Sequence, residues 1–447
     1  MRFSSFDELL RYYAKETPQA PALQFETAGN LQTLDYAALY ETVQSRSAVL
    51  KCSGHTCLGL FCDGSVSCVV ELFAAVSAGL QVVLLNESAT AQQLQLTDVD
   101  TLWGDDDLTQ PLLSACTGSA PNGAGQLLFF TSGTTAKTKA VALTEKSLCA
   151  SAYNGGALLP LTPQDRLLCM LPLDHVFGFV CGLLWGLSCG ACVALGRGPR
   201  HYFDDCAFFR PTALSAVPLL LGFLLQKNLL SDSLRLILIG AGDCPPQIPA
   251  ALQAMGIRVS FGYGLTETSS GVALSLGSDP YAMTICPDDT VTLAEDGEIL
   301  IHCPSCMMQG YYKDKEATNA VLQNGVLHTG DLGSFDAQGL LHIIGRKKEI
   351  LVLRDGTKIF LPEYERDLAA ALAGKDFAVI EENGAVTLVL RGDDSERDAI
   401  QRAIEPVMQT QPFGRRIKQI RFVNQPLPRT ATGKIKRWVL QQKVVTE

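Results

Sequence analysis

The densest chemistry in the chain lies in Phe130-Thr131-Ser132-Gly133-Thr134-Thr135-Ala136-Lys137-Thr138-Lys139-Ala140-Val141. After Thr131 it sets four hydroxyl residues, one Gly and two Lys before the next apolar run. Hydroxyls, exposed backbone N–H groups and an ammonium are what a polyphosphate needs in a compact loop. Alone, such a run is an ordinary polar turn. It is not the loop of a P-loop NTPase, because Thr138 replaces the second Gly and Ala140 the final hydroxyl of that motif. The flanking apolar runs make it a hairpin loop, not a loop that feeds a helix.

Further pieces follow in order. Gly240-Ala241-Gly242 ends an apolar run, but Pro245 takes the place of the third glycine of a dinucleotide fingerprint. In Gly262-Tyr263-Gly264-Leu265-Thr266-Glu267-Thr268, an aromatic between glycines can stack on a planar base. The Thr and Glu beyond it can reach a phosphate and a divalent cation. Thr329-Gly330-Asp331, Gly345-Arg346-Lys347-Lys348-Glu349 and a basic run from Pro428 through Thr432-Gly433-Lys434 to Arg437 complete the set. Each piece is unremarkable by itself.

Together and in this order, they resemble the ANL superfamily of adenylate-forming enzymes, most closely its acyl-CoA ligase branch. The resemblance runs from about residue 127 to residue 436. The stretches Leu171-Pro172-Leu173-Asp174-His175-Val176-Phe177-Gly178 and Gly310-Tyr311-Tyr312 look like that branch too.

The resemblance implies roles for residues. Thr131, Ser132, Gly133, Thr134, Thr135 and Lys139 would hold the ATP phosphates. Gly240, Ala241, Gly242, Gly262 and Gly264 would wall the adenine, with Tyr263 stacked on it. Thr266 would touch the α-phosphate and Glu267 would bind Mg²⁺. Asp331 would accept from the ribose hydroxyls, a task suited to an acceptor-only carboxylate, and Arg346 would support the ribose and phosphate side. Lys434 matches the catalytic lysine, which stabilises charge as a carboxylate attacks the α-phosphorus. Lys348 matches the hinge, about which Lys434 would be withdrawn and the loop Gly356, Lys358, Phe360 presented to a thiol. His175, Phe177, Gly178 and Gly182 are expected to line an acyl pocket.

This chain departs from the family at Ala136 and Ala140, where Gly is usual, and at Thr138, where Pro is common. Residues 277–296 are abbreviated. Residues 1–125 carry no assigned motif.

Strand and helix patterns must position these groups. Residues 126–131, 235–239 and 258–261 read as strands, with a helix over 246–255 between the last two. That alternation predicts doubly wound α/β layers. Past residue 290, short strands at 298–302 and 340–344 between Gly turns indicate a β-rich lobe. Beyond residue 346 the pattern changes to a small α+β unit. Its strands are placed at 350–353, 377–380, 385–390 and 417–422, and its helices at 363–373 and 395–408. The expected organisation is an adenylation domain over 1–346 and a mobile C-terminal domain over 347–447.

The chain's 447 residues are 47% hydrophobic and 18% charged, with net charge −10. A large core is available, and a surface built to neutralise nucleic acid or anionic lipid is disfavoured. An odd count of 15 cysteines argues against a disulfide framework, and the pairs Cys189/Cys192 and Cys303/Cys306 read as core packing before zinc. Residues 1–7 show no charged-then-apolar leader, so a cytoplasmic location is expected. Residues 176–196 lack charge, and Gly178, Gly182, Gly186 and Gly190 recur every fourth position. A buried helix over 177–187 followed by a strand at 191–195 fits better than a membrane span.

The expected activity is ATP-dependent conversion of a carboxylic acid, fatty or otherwise apolar, to acyl-AMP and pyrophosphate, then transfer to CoA. A carrier-protein phosphopantetheine arm presents the same thiol. An amino-acid-activating enzyme would want an acid for the substrate ammonium, and Asp174 is the one candidate near the expected pocket. A non-catalytic nucleotide- or acyl-binding protein is the alternative from another class, disfavoured by the presence of Glu267, Asp331, Arg346 and Lys434.

Overall fold

The computed structural model describes residues 1–116, 126–131, 139–242, 244–353, 358–429 and 435–442. Wholly buried runs such as Leu236–Ile239 cannot alternate apolar and polar faces, which is the signature of a strand covered on both sides. That strand pairs in parallel with Ala213–Ala216 and Arg258–Leu265. The parallel layer continues through Arg166–Cys169 and Cys192–Leu195 to Pro21–Thr27. On its other side, Arg258–Leu265 pairs antiparallel with Ser270–Ser275. From there the sheet runs on through Met283–Ile285, Leu341–Arg346, Val326–Phe335 and Glu298–His302. One strand therefore belongs both to the parallel layer and to the β-rich lobe.

A second sheet orders Gly310–Tyr311, Lys139–Thr144, Gln126–Thr131, Gln81–Leu85, Cys57–Phe61 and Thr101–Trp103. Gln126–Thr131 and Lys139–Thr144 are antiparallel partners, so the expected hairpin is present. One hydrophobic core joins both sheets and the helices Tyr36–Lys51 and Val66–Ser77. The rings of Phe129 and Phe179 meet within it at 5.7 Å. Caps start the helices: Ser65 Oγ accepts from the Cys68 N–H at 3.1 Å, and Thr144 and Ser147 form a reciprocal capping box. The buried Glu71 is held by the Arg46 guanidinium through two bonds of 2.6 and 2.9 Å, which offsets the cost of its burial.

After Arg346 come the hairpin Ile350–Val352/Lys358–Phe360, a three-stranded sheet and the helices Leu361–Ala371, Arg397–Thr410 and Arg437–Gln442. These residues build their own core, in which Leu368, Val379, Val386, Leu388 and Leu390 are fully buried. The strands expected at 126–131 and 298–302 lie at those residues, and the other expected elements begin or end within a few residues of the observed ones.

The uncharged segment folds as two pieces. Gly178–Leu184 forms π-helical turns that continue as Trp185–Ser188, and Cys192–Leu195 is a strand. No helix among the described residues is long and apolar enough to cross a membrane. The glycine face is closely packed. A Cβ on Gly178 would sit 2.1 Å from the Pro172 carbonyl oxygen, and one on Gly182 3.4 Å from Cys169 Sγ. One on Gly186 would lie 2.6 Å from Val193 Cγ2. Gly178 and Gly182 thus let the helix lie close on neighbouring backbone and strands. Gly155 is different: it lies inside the helix Glu145–Leu158, and a Cβ there meets nothing within 4 Å.

Gly178→Ala is expected to cost about 1–3 kcal/mol by overpacking. Gly155→Ala should leave stability unchanged or raise it by about 0.5–1 kcal/mol through helix propensity. Thermal denaturation of the two variants reads the contrast, and equal losses would refute the assignment of faces.

Candidate active site

Gly240–Gly242 and Tyr263 lie where parallel strands end at their carboxyl termini, the usual place for ligands in open α/β sheets. Gly240-Ala241-Gly242 follows Leu236–Ile239 there. Gly240 is covered by the Phe177 ring, two carbons of which would lie 2.8 Å from a Cβ. Ala241 holds a left-handed φ of 62°, unusual without glycine, and Ala241 and Gly242 are exposed. Phe177, expected at an acyl pocket, therefore packs beneath the proposed adenine wall.

The strand Arg258–Leu265 carries Tyr263 to the same place. Gly264 can only be glycine there, because a Cβ would fall 1.8 Å from the Ser270 carbonyl oxygen. The Tyr263 hydroxyl donates to Asp331 Oδ2 at 3.0 Å, and Arg346 Nε approaches Asp331 Oδ1 at 2.9 Å. Asp331 is buried, with 4% of its surface exposed. Asp331 and Arg346 face each other across the ladder between Val326–Phe335 and Leu341–Arg346, so backbone pairing puts their side chains within reach. Burial, then the Asp331 charge, push the Tyr263 hydroxyl far above its ordinary pKa. Tyr263 is a held donor, its ring mostly buried.

Thr266 and Glu267 sit on a single tight turn, Thr266–Thr268. Thr268 Oγ1 accepts from the Leu265 N–H at 3.0 Å, and Ser269 Oγ donates to the Cys306 carbonyl at 2.7 Å. Ser269 and Ser270 both have positive φ, 53° and 106°. Strained backbone of this kind persists only where hydrogen bonds on both sides over-determine it. Glu267 Oε1 accepts from the Tyr311 hydroxyl at 2.6 Å, and the Lys139 ammonium lies 4.3 Å above the Tyr311 ring. Thr131 is the cross-strand partner of Lys139.

Ser132, Gly133, Thr134, Thr135, Gly356 and Lys434 lie outside the described residues, as do Ala136 and Thr138. Lys348 is exposed on the turn Lys347–Glu349, while its neighbour Lys347 reaches Asp296 and Glu298, both at 2.6 Å. Lys358 begins the strand Lys358–Phe360. The Phe360 ring lies directly over Gly345, where a Cβ would come within 2.0 Å of it. The end of the expected acceptor loop thus touches the residue before Arg346.

A small apolar cavity of about 30 Å³ lies beside the strand Ser270–Ser275. Gly155 and Leu159 line it from one helix, Cys181 and Trp185 from the next, and Leu238 and Gly271 from two strands. Sequence reasoning missed the Gly155 side. Its signal was present in the small residues Ala150 to Ala152 and the pair Gly155-Gly156. His175 is exposed, and the buried Asp174 accepts from Asn86 Nδ2 at 2.7 Å, which occupies the acid that an amino-acid substrate would need. Tyr311 was legible only as part of a family-like triplet, with no role attached. The string Gly186-Leu187-Ser188-Cys189-Gly190 has nucleophile-elbow spacing. Ser188 is buried inside a helix, its hydroxyl donating to the Trp185 carbonyl at 3.0 Å, and it is no nucleophile.

The family model described as AMP-binding enzyme matches residues 120–312. The 2-succinylbenzoate–CoA ligase of Bacillus subtilis is 32% identical over 336 residues, covering 69% of this chain and 67% of its own. The indoleacetate–CoA ligase of Aromatoleum aromaticum is 30% identical over 351 residues, covering 71% and 67%. The chain belongs to the AMP-binding enzyme family, the AMP-forming acid–thiol ligases of the ANL superfamily. Its matches span about two thirds of the length of these curated relatives. The solved o-succinylbenzoate CoA synthetase of Bacillus subtilis, in complex with its acyl-adenylate intermediate, superposes with TM-score 0.79. It shares 25% identity and is covered over 97% of both chains. The ATP-bound MatB of Rhodopseudomonas palustris has the same fold, with TM-score 0.81 at 22% identity over 100% of this chain and 99% of its own.

Close to the apolar cavity, Asp289 is buried, and neither of its carboxylate oxygens has a hydrogen-bond partner among the described residues. Its N–H donates to the carbonyl of Cys286, a lining residue. Burial, then the neighbouring Asp288 charge, raise its pKa to about 7. The folded state therefore binds this proton more tightly than the unfolded chain. Stability falls as pH rises from about 4 to 7 and levels off above. Asp289→Asn should raise the melting temperature more at pH 8 than at pH 5, and an equal shift at both would refute the assignment.

Proposed function

We propose that this chain activates a compact, largely apolar carboxylic acid with ATP and passes the acyl group to the thiol of CoA. The observation that carries the reading is the turn bearing Thr266 and Glu267, where Glu267 accepts from the Tyr311 hydroxyl and the Tyr311 ring lies under Lys139, while Gly271 on the strand that leaves the turn lines the small apolar cavity. A carboxylate held at that turn would extend its apolar body past Gly271 toward Gly155 and Trp185. Trp185 is itself anchored, its Nε1–H donating to the Leu159 carbonyl at 3.0 Å, so the far wall favours a short or aromatic acid over a long fatty chain.

In the first half-reaction a carboxylate oxygen bonds to the α-phosphorus, the bond to the β-phosphate oxygen breaks, and pyrophosphate leaves. Asp331 accepts from the ribose hydroxyls, and its fixed position between Tyr263 and Arg346 supports that role. Lys139 and the loop residues Thr131, Ser132, Gly133, Thr134 and Thr135 hold the phosphates, and Lys434 stabilises charge at the α-phosphorus. Glu267 suits Mg²⁺, which takes oxygen ligands from one or two carboxylates together with substrate phosphates. When bound, the ion neutralises phosphate charge. In the second half-reaction the thiolate attacks the acyl carbon and AMP leaves. Residues 1–346 form the adenylation domain and 347–447 the mobile one, turning at Lys348. Phe360 over Gly345 supports an arrangement in which the loop Gly356, Lys358, Phe360 faces the thiol.

Pyrophosphate release with a panel of short, aromatic, fatty and amino acids tests the reading, followed by CoA or a pantetheinylated carrier protein as acceptor. Lys434→Ala should lower the adenylation rate about 10²–10³-fold. Gly155→Leu, which fills the cavity from the Gly155 side, should shift preference toward smaller acids. A variant panel with unchanged acid preference would exclude this cavity as the acyl site, and no turnover with any acid would return the protein to a binding role.

A further inference from the structure

Tyr311 occupies a place that neither the phosphate loop nor the metal carboxylate explains. It lies on the two-residue strand Gly310–Tyr311, which adds to the edge of the hairpin through the pairs Gly310 with Ala142 and Tyr311 with Val141. Its N–H donates to Thr318 Oγ1 at 2.9 Å, and Thr318 Oγ1 donates in turn to the Asp314 carbonyl at 2.8 Å. The next two residues anchor the opposite face: the Tyr312 hydroxyl and Lys313 Nζ bond the two Asp98 oxygens at 2.7 and 2.6 Å. With its backbone held from both sides, the Tyr311 ring has one direction in which to project. It passes beneath the Lys139 ammonium, and its hydroxyl ends on Glu267 Oε1 at 2.6 Å.

We infer that Tyr311 is a positioning residue that orients the Glu267 carboxylate for Mg²⁺ and the Lys139 ammonium for the phosphates, an inference that rests on the adenylation reading above. A carboxylate on a tight turn can rotate about its last bonds. A short hydrogen bond to one oxygen stops that rotation and directs the other oxygen outward, and partners of this kind behind a metal ligand typically govern metal affinity. The ring does the same for Lys139 without neutralising it, because a cation held over an aromatic face keeps its charge for the ligand. One side chain thus couples a strand-end lysine to the metal carboxylate on another sheet.

The experiment uses the full chain and an ATP analogue with a non-cleavable α,β-bridge, whose binding is followed calorimetrically across a Mg²⁺ titration. Tyr311→Phe keeps the ring and removes the hydroxyl. It should raise the Mg²⁺ concentration for half-maximal binding by about tenfold or more and leave metal-free analogue binding unchanged. Tyr311→Leu should also weaken metal-free binding, since Lys139 loses its support. In a Glu267→Gln background the Tyr311→Phe shift should vanish, which a merely structural loss would not do. A Tyr311→Phe protein with the wild-type Mg²⁺ midpoint, or a shift that persists in Glu267→Gln, overturns this inference alone. A wild-type protein whose analogue binding ignores Mg²⁺ overturns the reading of Glu267 and this inference with it.

Discussion

A carboxylate that keeps its charge when buried must be paired, and the pairing of Asp331 organises much of this molecule. Its two oxygens meet a phenol from the parallel layer and a guanidinium from the adjacent strand of the β-rich lobe. Breaking either contact would strand charge in a site with 4% exposure. The parallel core, the lobe and the chain segment that leaves toward the C-terminal residues are therefore tied at one point. Arg346 stands at that exit, and its successor Lys347 is bound to Asp296 and Glu298 on the same lobe. Chain motion beyond this point would start from a fixed base.

Close approach is the second constraint, and glycine supplies it. Gly264 permits the Ser270 carbonyl to fold back on the strand, which shapes the turn that carries Thr266 and Glu267. Gly178 lets the π-helical segment begin against the Pro172 backbone. π-Helical turns are rare and recur at functional sites. Here they bring Cys181, whose Sγ lies 3.5 Å from Ser270 Oγ, against the strained turn. The cavity wall and the Glu267 carboxylate are thus positioned by the same few backbone contacts.

Much of this architecture is legible in the order of residues. Continuous apolar runs locate the buried strands, and Asp-Gly and Gln-Gly turns mark the change from parallel layers to the β-rich lobe. Ordered motifs point to Asp331, Arg346, Tyr263 and Glu267, which the fold brings close in space. The acyl side is less legible. Glycines at four-residue intervals define a helix face, but periodicity carries no information on whether that face meets a ligand or a strand. Their spacing suggests a pocket on the face that in fact packs against Arg166–Cys169 and Cys192–Leu195, whereas the other face, with Cys181 and Trp185, lines the cavity.

Residue types and local order determined which groups are able to hold phosphate, ribose and a divalent cation, because those capacities belong to side chains and short loops. Tertiary structure decided which of them act together. Tyr311 reaches Glu267 only because a two-residue strand far along the chain pairs with Val141, and Tyr263 meets Asp331 only because one strand belongs both to the parallel layer and to the β-rich lobe. Pairing between distant strands depends on packing summed over the whole core, and no local pattern in the sequence encodes it.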